Sequence, residues 1–508
     1  MRKLLLFALV GVIAAAATQA RASWYEAKSK HFIIDGDVDP QDLTDYAKKL
    51  ERFDQAVRTA RGMQDPQLTD AGRLRIYFLR NADEWEDLTE GDDALGEYGS
   101  SASGSFAFVQ KMKGDRPGDF NSDLLFFHEY SHHMMFQNWA AALPTWVAEG
   151  FAEFFSTAKI NDDGTVVLGS AADQRSIGVY GLHHEYPLAD MLSDSRSWLT
   201  ARQIDIIYSR GWLLTHYLTF EPSRRGQLDK YILGIQNGES TRQSAEAAFG
   251  DIGKLDNELD HYANEKSLPG IVIRTDPTRI GEITVGQLPP GTAALMPIQM
   301  RLDHGVTPAN ERLVAGKARG LAADFPSDPF AQATLAQAEY GAGYYTASEA
   351  AADRALAIDP NYVHALIYKG RAEMELAKAN PSTANWNQIR GWFAKANHAD
   401  TENAEPLMLY YEGFVAAGQR PTESAVRGMM YALVLAPQDR RLRWMAVRQL
   451  LVDGKVANAR QTLGPIAYDP HGGDAREKAR DVLAAIEGSD ATKGVTIIND
   501  IEQKWKQY

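Results

Sequence analysis

Two histidines and a glutamate form the pattern in the chain with the clearest chemical meaning. His128 and His132 lie four residues apart, and Glu129 directly follows the first histidine. In an α-helix, residues with this spacing lie on one face, so both imidazoles can bind the same metal ion. Glu129 lies about 100° around the helix from His128, within reach of a metal-bound water. The alternative is a pair of core histidines that hydrogen-bond within the protein.

A second segment supplies two carboxylates. Glu149 and Glu153 are also four residues apart, in the otherwise apolar segment 144–156. Burying two carboxylates is costly unless a metal ion or hydrogen bonds hold them. Because a catalytic zinc site uses three protein ligands and an open position, we predict Glu149 as the third ligand. Glu153, one turn further, is placed to accept the free ring N–H of a ligand histidine. A salt-bridged carboxylate pair is the alternative.

Together, these two motifs resemble those of the gluzincin zinc peptidases, the group of thermolysin and the aminopeptidase N-like enzymes. The resemblance covers about residues 30–220 and implies that Glu149 is the third zinc ligand. It also implies that Glu129 is the general base and proton shuttle. Residues 208–211 (YSRG) are similar to the Y-x-K-G segment of the aminopeptidase branch, which implies that Tyr208 stabilises the oxyanion. The alternative for Tyr208 is a tyrosine at the start of a helix.

The chain departs from the named branches in two respects. The gap from His132 to Glu149 is a little shorter, which indicates a separate family of the same superfamily. The aminopeptidase motif G-x-M-E-N is absent, and residues 101–106 (SASGSF) in its place carry no acid for a substrate α-amine. The pattern therefore favours an endopeptidase, in which the edge strand can pair with the substrate backbone.

Four other histidines have weaker claims to a role. We expect His133 to point away from the metal and His216 to lie in the core. His183 and His184 fall in an irregular segment after the second motif. They either line a substrate pocket or, as we favour, lie in a surface loop.

The elements that must position these residues follow an α+β order. Apolar periodicity predicts strands at 30–35, 74–79 and 165–168, and helices at 40–61, from 122 onward, at 144–156 and at 203–218. We therefore predict a zincin-like catalytic domain over residues 23–275, with a mixed sheet plus the helix of the first motif.

Two further regions are expected after the catalytic domain. Residues 276–308 read as a small β linker, with a strand-like pattern on both sides of a Pro-Pro-Gly turn, including 296–302. Residues 309–508 are alanine-rich and predict helix pairs with Asp-Pro turns, as at 359–360, at a period in the thirties. This pattern resembles tetratricopeptide repeats and implies an all-α solenoid.

Composition and the N-terminus bound the cellular setting. The 508-residue chain has a net charge of −14, which argues against a general nucleic-acid binder. Arg2 and Lys3, an apolar run at 4–17 and Ala-Arg-Ala at 20–22 predict a secretory signal peptide over residues 1–22, with an uncleaved anchor as the alternative. No later stretch reads as a membrane span. Because the chain has no cysteine, histidine and carboxylate must hold any metal.

These features predict a periplasmic or secreted zinc metallopeptidase that acts on a peptide or protein substrate. The cofactor is Zn²⁺, and the repeat domain is expected to bind substrate or a protein partner. Two alternatives stay open. One is a protein-interaction scaffold with a structural or degenerate peptidase-like domain. The other is an aminopeptidase that recognises the substrate N-terminus by other means.

Overall fold

A computed structural model describes residues 23–89, 96–110, 122–139, 143–175, 179, 185–193, 199–467, 473–487 and 491–505. The signal peptide predicted at 1–22, as well as His183 and His184, lies outside the described residues. Among the described helices, none has the length and apolar character needed to cross a membrane.

The described elements mix strands and helices up to residue 287, and the regular elements after it are helical. The strands are β1 (Tyr25–Lys28), β2 (Phe32–Gly36), β3 (Leu74–Leu79), β4 (Gly96–Ser101), β5 (Gly104–Gln110), β6 (Lys159–Ile160), β7 (Thr165–Leu168), β8 (Ile271–Arg274) and β9 (Thr284–Gln287). The first helices are α1 (Pro40–Arg61), α2 (Ala82–Thr89), α3 (Ser122–Asn138), α4 (Thr145–Ser156), α5 (Leu188–Ser193), α6 (Ala201–Phe220), α7 (Gln227–Gln236), α8 (Thr241–Phe249), α9 (Ile252–Ala263), α10 (Pro277–Ile280) and α11 (Pro290–His304). The later helices are α12 (Glu311–Ala323), α13 (Pro329–Gly341), α14 (Tyr345–Ile358), α15 (Val363–Ala379), α16 (Trp386–Ala399), α17 (Ala404–Ala416), α18 (Glu423–Leu435), α19 (Arg440–Val452), α20 (Val456–Ala467), α21 (Gly473–Ala485) and α22 (Ala491–Trp505).

A six-stranded mixed sheet lies at the centre of the N-terminal region, in the order β4-β5-β3-β2-β1-β9. β2, β3 and β5 run parallel, whereas β1, β4 and β9 pair antiparallel with their neighbours. A smaller antiparallel sheet contains β6, β7 and β8. This mixed α/β architecture agrees with the predicted mixed sheet plus helices, and the strands and helices expected before residue 220 are all present.

The local sequence determines both ends of α1, which connects β2 to β3. Asp39 accepts a hydrogen bond from the Gln41 amide at 2.8 Å, and Pro40 occupies the first turn. At the other end, Gly62 has a φ of 63°, a left-handed conformation that glycine adopts without strain. α1 then packs on α3 through stacked rings of Phe53 and Phe127, whose centroids are 4.0 Å apart. The main apolar core therefore continues from the sheet through α1 to α3.

The segment expected to be a β linker is different in the structure. β9 pairs with β1 and completes the main sheet, and residues 296–302 are helical, within α11. The strand prediction for 296–302 is wrong because Leu295 and Ile298 pack into one apolar cluster while Met296 and Met300 pack into another. Both pairs have helical spacing, so the near-continuous apolar run places apolar side chains on two faces of one helix.

From α12 onward the described elements are helical, and successive helices pack against each other. Side-chain caps begin many of them. For example, Asp328 accepts a hydrogen bond from the Ala331 amide at 3.0 Å, and Asp439 accepts one from the Leu442 amide at 2.6 Å. This helical region has apolar clusters distinct from the main core, and one of them includes Ala102 from the turn between β4 and β5.

Helices α4 and α6 cross through two glycines. A Cβ at Gly150 would lie 2.3 Å from the Gly211 carbonyl oxygen, a distance that no real Cβ tolerates. Gly211 is equally constrained, because its Cβ would lie 2.9 Å from the Trp146 carbonyl oxygen. The two backbones are therefore in direct contact, which brings Glu149 on α4 close to Tyr208 on α6.

We predict that Gly150→Ala lowers the free energy of unfolding by about 1–3 kcal/mol, because the added methyl group forces α4 and α6 apart. Denaturant unfolding measures the change. Gly316→Ala is the matched control. Its Cβ would meet nothing within 4 Å, and helix propensity predicts a gain of about 0.5–1 kcal/mol. A Gly150→Ala variant as stable as the original protein would show that this helix crossing is not as described.

Candidate metal centre

Helix α3 is held in place on the side facing α1. The Tyr130 hydroxyl donates a hydrogen bond to Asp54 at 2.8 Å, and the Tyr130 ring packs 5.0 Å from the Phe32 ring. His128 and His132 lie elsewhere on the helix surface and face α4. The aromatic packing of one side therefore sets the orientation of the imidazoles on the other.

Three predicted ligand atoms converge between α3 and α4. The Nε2 atoms of His128 and His132 are 3.1 Å apart, and Oε2 of Glu149 lies 3.4 Å and 3.5 Å from them. Ligand atoms at about 2.0–2.1 Å from a tetrahedral zinc are separated by about 3.3 Å. The three side chains are buried, with exposed fractions of 8%, 6% and 0%. Their geometry therefore fits one small cation, and these residues can hold a metal ion.

The electrostatics of the centre favour a positive charge between these side chains. Burial opposes protonation of His128, but its hydrogen bond to Glu149 and the charge of that carboxylate raise the pKa of His128 above its ordinary value. The fully buried Glu149 carboxylate thus favours the protonated form of His128 in the absence of metal. A divalent cation would supply the same compensating charge in place of a proton.

Glu153, predicted as the partner of a ligand histidine, lies behind His128. Its Oε1 atom is 3.4 Å from His128 Nδ1, the ring nitrogen that faces away from Glu149. It also accepts hydrogen bonds from Arg175, at 2.6 Å from Nη2 and 3.1 Å from Nε. Glu153 is therefore placed to orient the His128 ring, and its own position depends on Arg175.

Arg175, in a short 3₁₀ helix, Asp173–Arg175, was not predicted as a site residue. Its guanidinium carbon lies 4.5 Å above the Tyr208 ring. The Tyr208 ring in turn lies nearly parallel to the His128 ring, at 5.8 Å and 11°. Arg175 therefore contacts two groups that surround His128. The two buried carboxylates on α4 indicate that a positively charged side chain lies nearby. Sequence spacing does not identify which one, because Arg175 is outside that helix.

Tyr208 lies beside His128, half-buried on α6. Burial raises its pKa well above the ordinary value, and the charge of Glu149 and a hydrogen bond to that carboxylate add to the effect. Tyr208 consequently stays a neutral hydroxyl that can donate a hydrogen bond. Glu129 is half-buried, and its charge contributes to the raised pKa of both His128 and Tyr208. Its carboxylate therefore lies near both groups.

Two further histidines are buried away from the metal ligands, as expected. His133 Nδ1 is 2.7 Å from the Tyr98 hydroxyl, and burial lowers its pKa to about 3. His216 lies in the core, 2.8 Å from the Tyr262 hydroxyl and 3.0 Å from the Gly169 carbonyl oxygen. Burial lowers the pKa of His216 to about 4, so both imidazoles are neutral at pH 7.

A second buried group, His31 with Glu51 and Asp54, also has donor atoms close together. Its contacts are those of a hydrogen-bonded network. His31 Nδ1 is 2.8 Å from Glu51, closer than two ligands of one tetrahedral ion. Asp54 already accepts hydrogen bonds from Arg58 at 2.8 Å and 2.9 Å. His128, His132 and Glu149 are therefore the better candidate metal site of the two.

No protein-family model matches the sequence, and no curated protein shows significant similarity to it. The functional argument therefore depends on the residues and geometry of this centre.

We predict that the protein binds one equivalent of Zn²⁺, used as the probe ion, and that His132→Ala abolishes this binding. Zinc content after dialysis, measured by elemental analysis, tests it. His128 must lose its proton to bind metal, and its pKa is raised above the ordinary value. The affinity for zinc should therefore fall as the pH decreases through and below the pKa of His128. His31→Gln is the control and should keep the zinc. Loss of zinc in His31→Gln and retention in His132→Ala would place the metal at the other cluster.

We also predict that Arg175→Gln weakens zinc affinity about 10–100-fold, the usual effect of removing support behind a ligand histidine. Arg175→Lys should lie between, because lysine keeps the charge but cannot form the same paired contact. Competition with a chromogenic chelator measures the affinity. Arg202→Gln on α6 is the control, since this arginine is exposed and its ion-pair partner is the exposed Glu185. Equal affinities for Arg175→Gln and Arg202→Gln would contradict a supporting role for Arg175.

Proposed function

We propose that the protein is a zinc-dependent endopeptidase of the gluzincin type, with a zincin-like catalytic region. The observation that carries the proposal is the convergence of His128, His132 and Glu149, with Glu129 and Tyr208 beside them. Two imidazoles and one carboxylate form a donor set typical of catalytic zinc. The set leaves a net positive charge on a bound Zn²⁺, which suits activation of water near neutral pH.

His128, His132 and Glu149 would hold the zinc ion, which when bound supplies Lewis-acid activation of a water and of the scissile carbonyl. Glu129 accepts the proton of the attacking water and transfers it to the leaving amine. The neutral Tyr208 hydroxyl donates a hydrogen bond to the oxyanion of the tetrahedral intermediate. Glu153 keeps the His128 ring in the orientation that directs Nε2 to the metal.

The outer strand β4 supports action on internal peptide bonds. Among the described strands, β4 pairs with β5 alone, and we propose that its other edge pairs with a substrate backbone. The one acid in β4, Glu97, lies 3.2 Å from His304 Nε2 on α11. That contact directs Glu97 to α11, which supports an endopeptidase over an aminopeptidase.

The helical region supports a second role, in binding substrate or a protein partner. A cavity of about 700 Å³ lies among α15, α17 and α19 and is lined by both apolar and basic side chains, among them Met374, Tyr411, Trp444, Arg441 and Arg448. We propose that this region is a tetratricopeptide-like solenoid and that the cavity takes a peptide segment. A scaffold without hydrolytic activity is the alternative function. For the location we propose the periplasm or secretion, with residues 1–22 as signal peptide.

We predict that Glu129→Gln keeps its zinc but loses at least about 10²-fold in kcat on an internally quenched peptide with a blocked N-terminus. In the same assay Tyr208→Phe should lose about 10²–10³-fold in kcat, because the oxyanion loses a donor. Glu246→Gln is the control, since Glu246 lies exposed on α8 and pairs with Arg242 at 2.9 Å.

Normal cleavage by Glu129→Gln would contradict the assigned proton transfer. Cleavage of free N-terminal substrates alone, with no action on the blocked peptide, would favour the aminopeptidase. Stoichiometric zinc with no hydrolysis of any peptide would favour the scaffold.

A further inference from the structure

The turn between β4 and β5 is buried in the helical region. Ala102 lies at the tip of this two-residue turn, where a side chain is usually exposed, yet its exposed fraction is 4%. It belongs to the same apolar cluster as residues of α15 to α19, including Leu366, Met408 and Leu442. The outer strand of the sheet therefore has its turn anchored in a part of the chain more than 250 residues later.

Asp439 connects the turn to the start of α19. One carboxylate oxygen accepts a hydrogen bond from the Leu442 amide of its own helix, at 2.6 Å. The other accepts a hydrogen bond from the Ala102 amide, at 2.5 Å. Asp439 is buried, so both contacts form in a low-dielectric setting where a charged acceptor binds amides strongly. The same side chain thus caps a helix and fixes the hairpin.

A second path runs from the adjacent Gln438 to the metal-binding helix. Gln438 Nε2 donates a hydrogen bond to Ser105 Oγ at 3.1 Å. Ser105 Oγ lies 3.5 Å from the Tyr98 hydroxyl, which contacts His133 Nδ1 at 2.7 Å. His133 is the neighbour of the ligand His132 on α3. Polar contacts therefore continue from the helical region, across β5 and β4, to the helix that carries the metal ligands.

We infer that Asp439 and Gln438 are positioning residues for the substrate-binding edge, and that the helical region is a working part of the catalytic unit. The inference rests on the proposed peptidase function, because it assigns β4 the role of pairing with substrate. Release of the turn lets β4 move away from α3. Substrate binding weakens as a result, while the metal ligands on α3 and α4 keep their positions.

Asp439→Asn tests this inference in the full-length protein. Asparagine still caps a helix, but the two amides bind different carboxylate oxygens, and asparagine replaces one of those acceptors with an NH₂ donor. Asp328→Asn is the matched control. Asp328 caps α13 through one oxygen, at 3.0 Å from the Ala331 amide. Its other oxygen accepts from the Thr292 amide at 2.8 Å, and neither contact involves the turn between β4 and β5. Gln438→Ala is a milder second variant that leaves the cap intact.

We expect amide hydrogen exchange in residues 96–110 to be about tenfold faster in Asp439→Asn than in Asp328→Asn, with unchanged zinc content. We also expect KM for the blocked peptide to rise about tenfold in Asp439→Asn while kcat stays within about twofold. Gln438→Ala should change both quantities in the same direction by a smaller factor.

Exchange in residues 96–110 that is the same in Asp439→Asn, Gln438→Ala and the control would overturn the positioning role, even if the protein hydrolyses peptides. Faster exchange combined with an unchanged KM would overturn the link to substrate binding. If the protein lacks peptidase activity but exchange is faster in Asp439→Asn, the contact of Asp439 with the hairpin is supported and the proposed peptidase function alone is refuted.

Discussion

The buried carboxylate of Glu149 is the constraint on which the other parts of the site depend. A charged group without solvent contact needs a counter-charge, and the cost of burying one unpaired amounts to several kcal/mol. Two imidazoles face it from α3, but imidazoles are neutral near pH 7 unless they take up protons. A metal ion would supply the counter-charge, since it would neutralise the carboxylate and use the lone pairs of both rings. The glycine crossing of α4 and α6 and the aromatic packing of α3 bring these groups together.

The contacts around this centre join residues that are progressively further apart in the sequence. His128 and His132 share one helix, and Glu149 and Glu153 share the next. Arg175, in the 3₁₀ helix that follows β7, then contacts Glu153 on α4 and Tyr208 on α6. At the longest range, Asp439 holds the turn of the outer strand. The candidate metal ligands therefore depend on local helical geometry, whereas the surroundings proposed to receive a substrate depend on distant parts of the chain.

The difference between local and distant contacts explains which site residues could be predicted from the sequence. Positions four residues apart on a helix share a face by geometry, so His128 with His132 and Glu149 with Glu153 were predictable without a structure. Arg175 and Asp439 were not, because a single arginine or aspartate in a loop carries no periodicity that identifies its partner. Residues 296–302 were assigned to a strand because an apolar run that faces two clusters lacks the alternation that separates strand from helix.

Zinc-edge anomalous diffraction from crystals of the zinc-loaded protein tests the central claim most directly, because it locates the ion without reference to activity. The account predicts one strong peak about 2.0–2.2 Å from Nε2 of His128, Nε2 of His132 and the Glu149 carboxylate. An absence of zinc there, or a peak at His31, Glu51 and Asp54 instead, would contradict it.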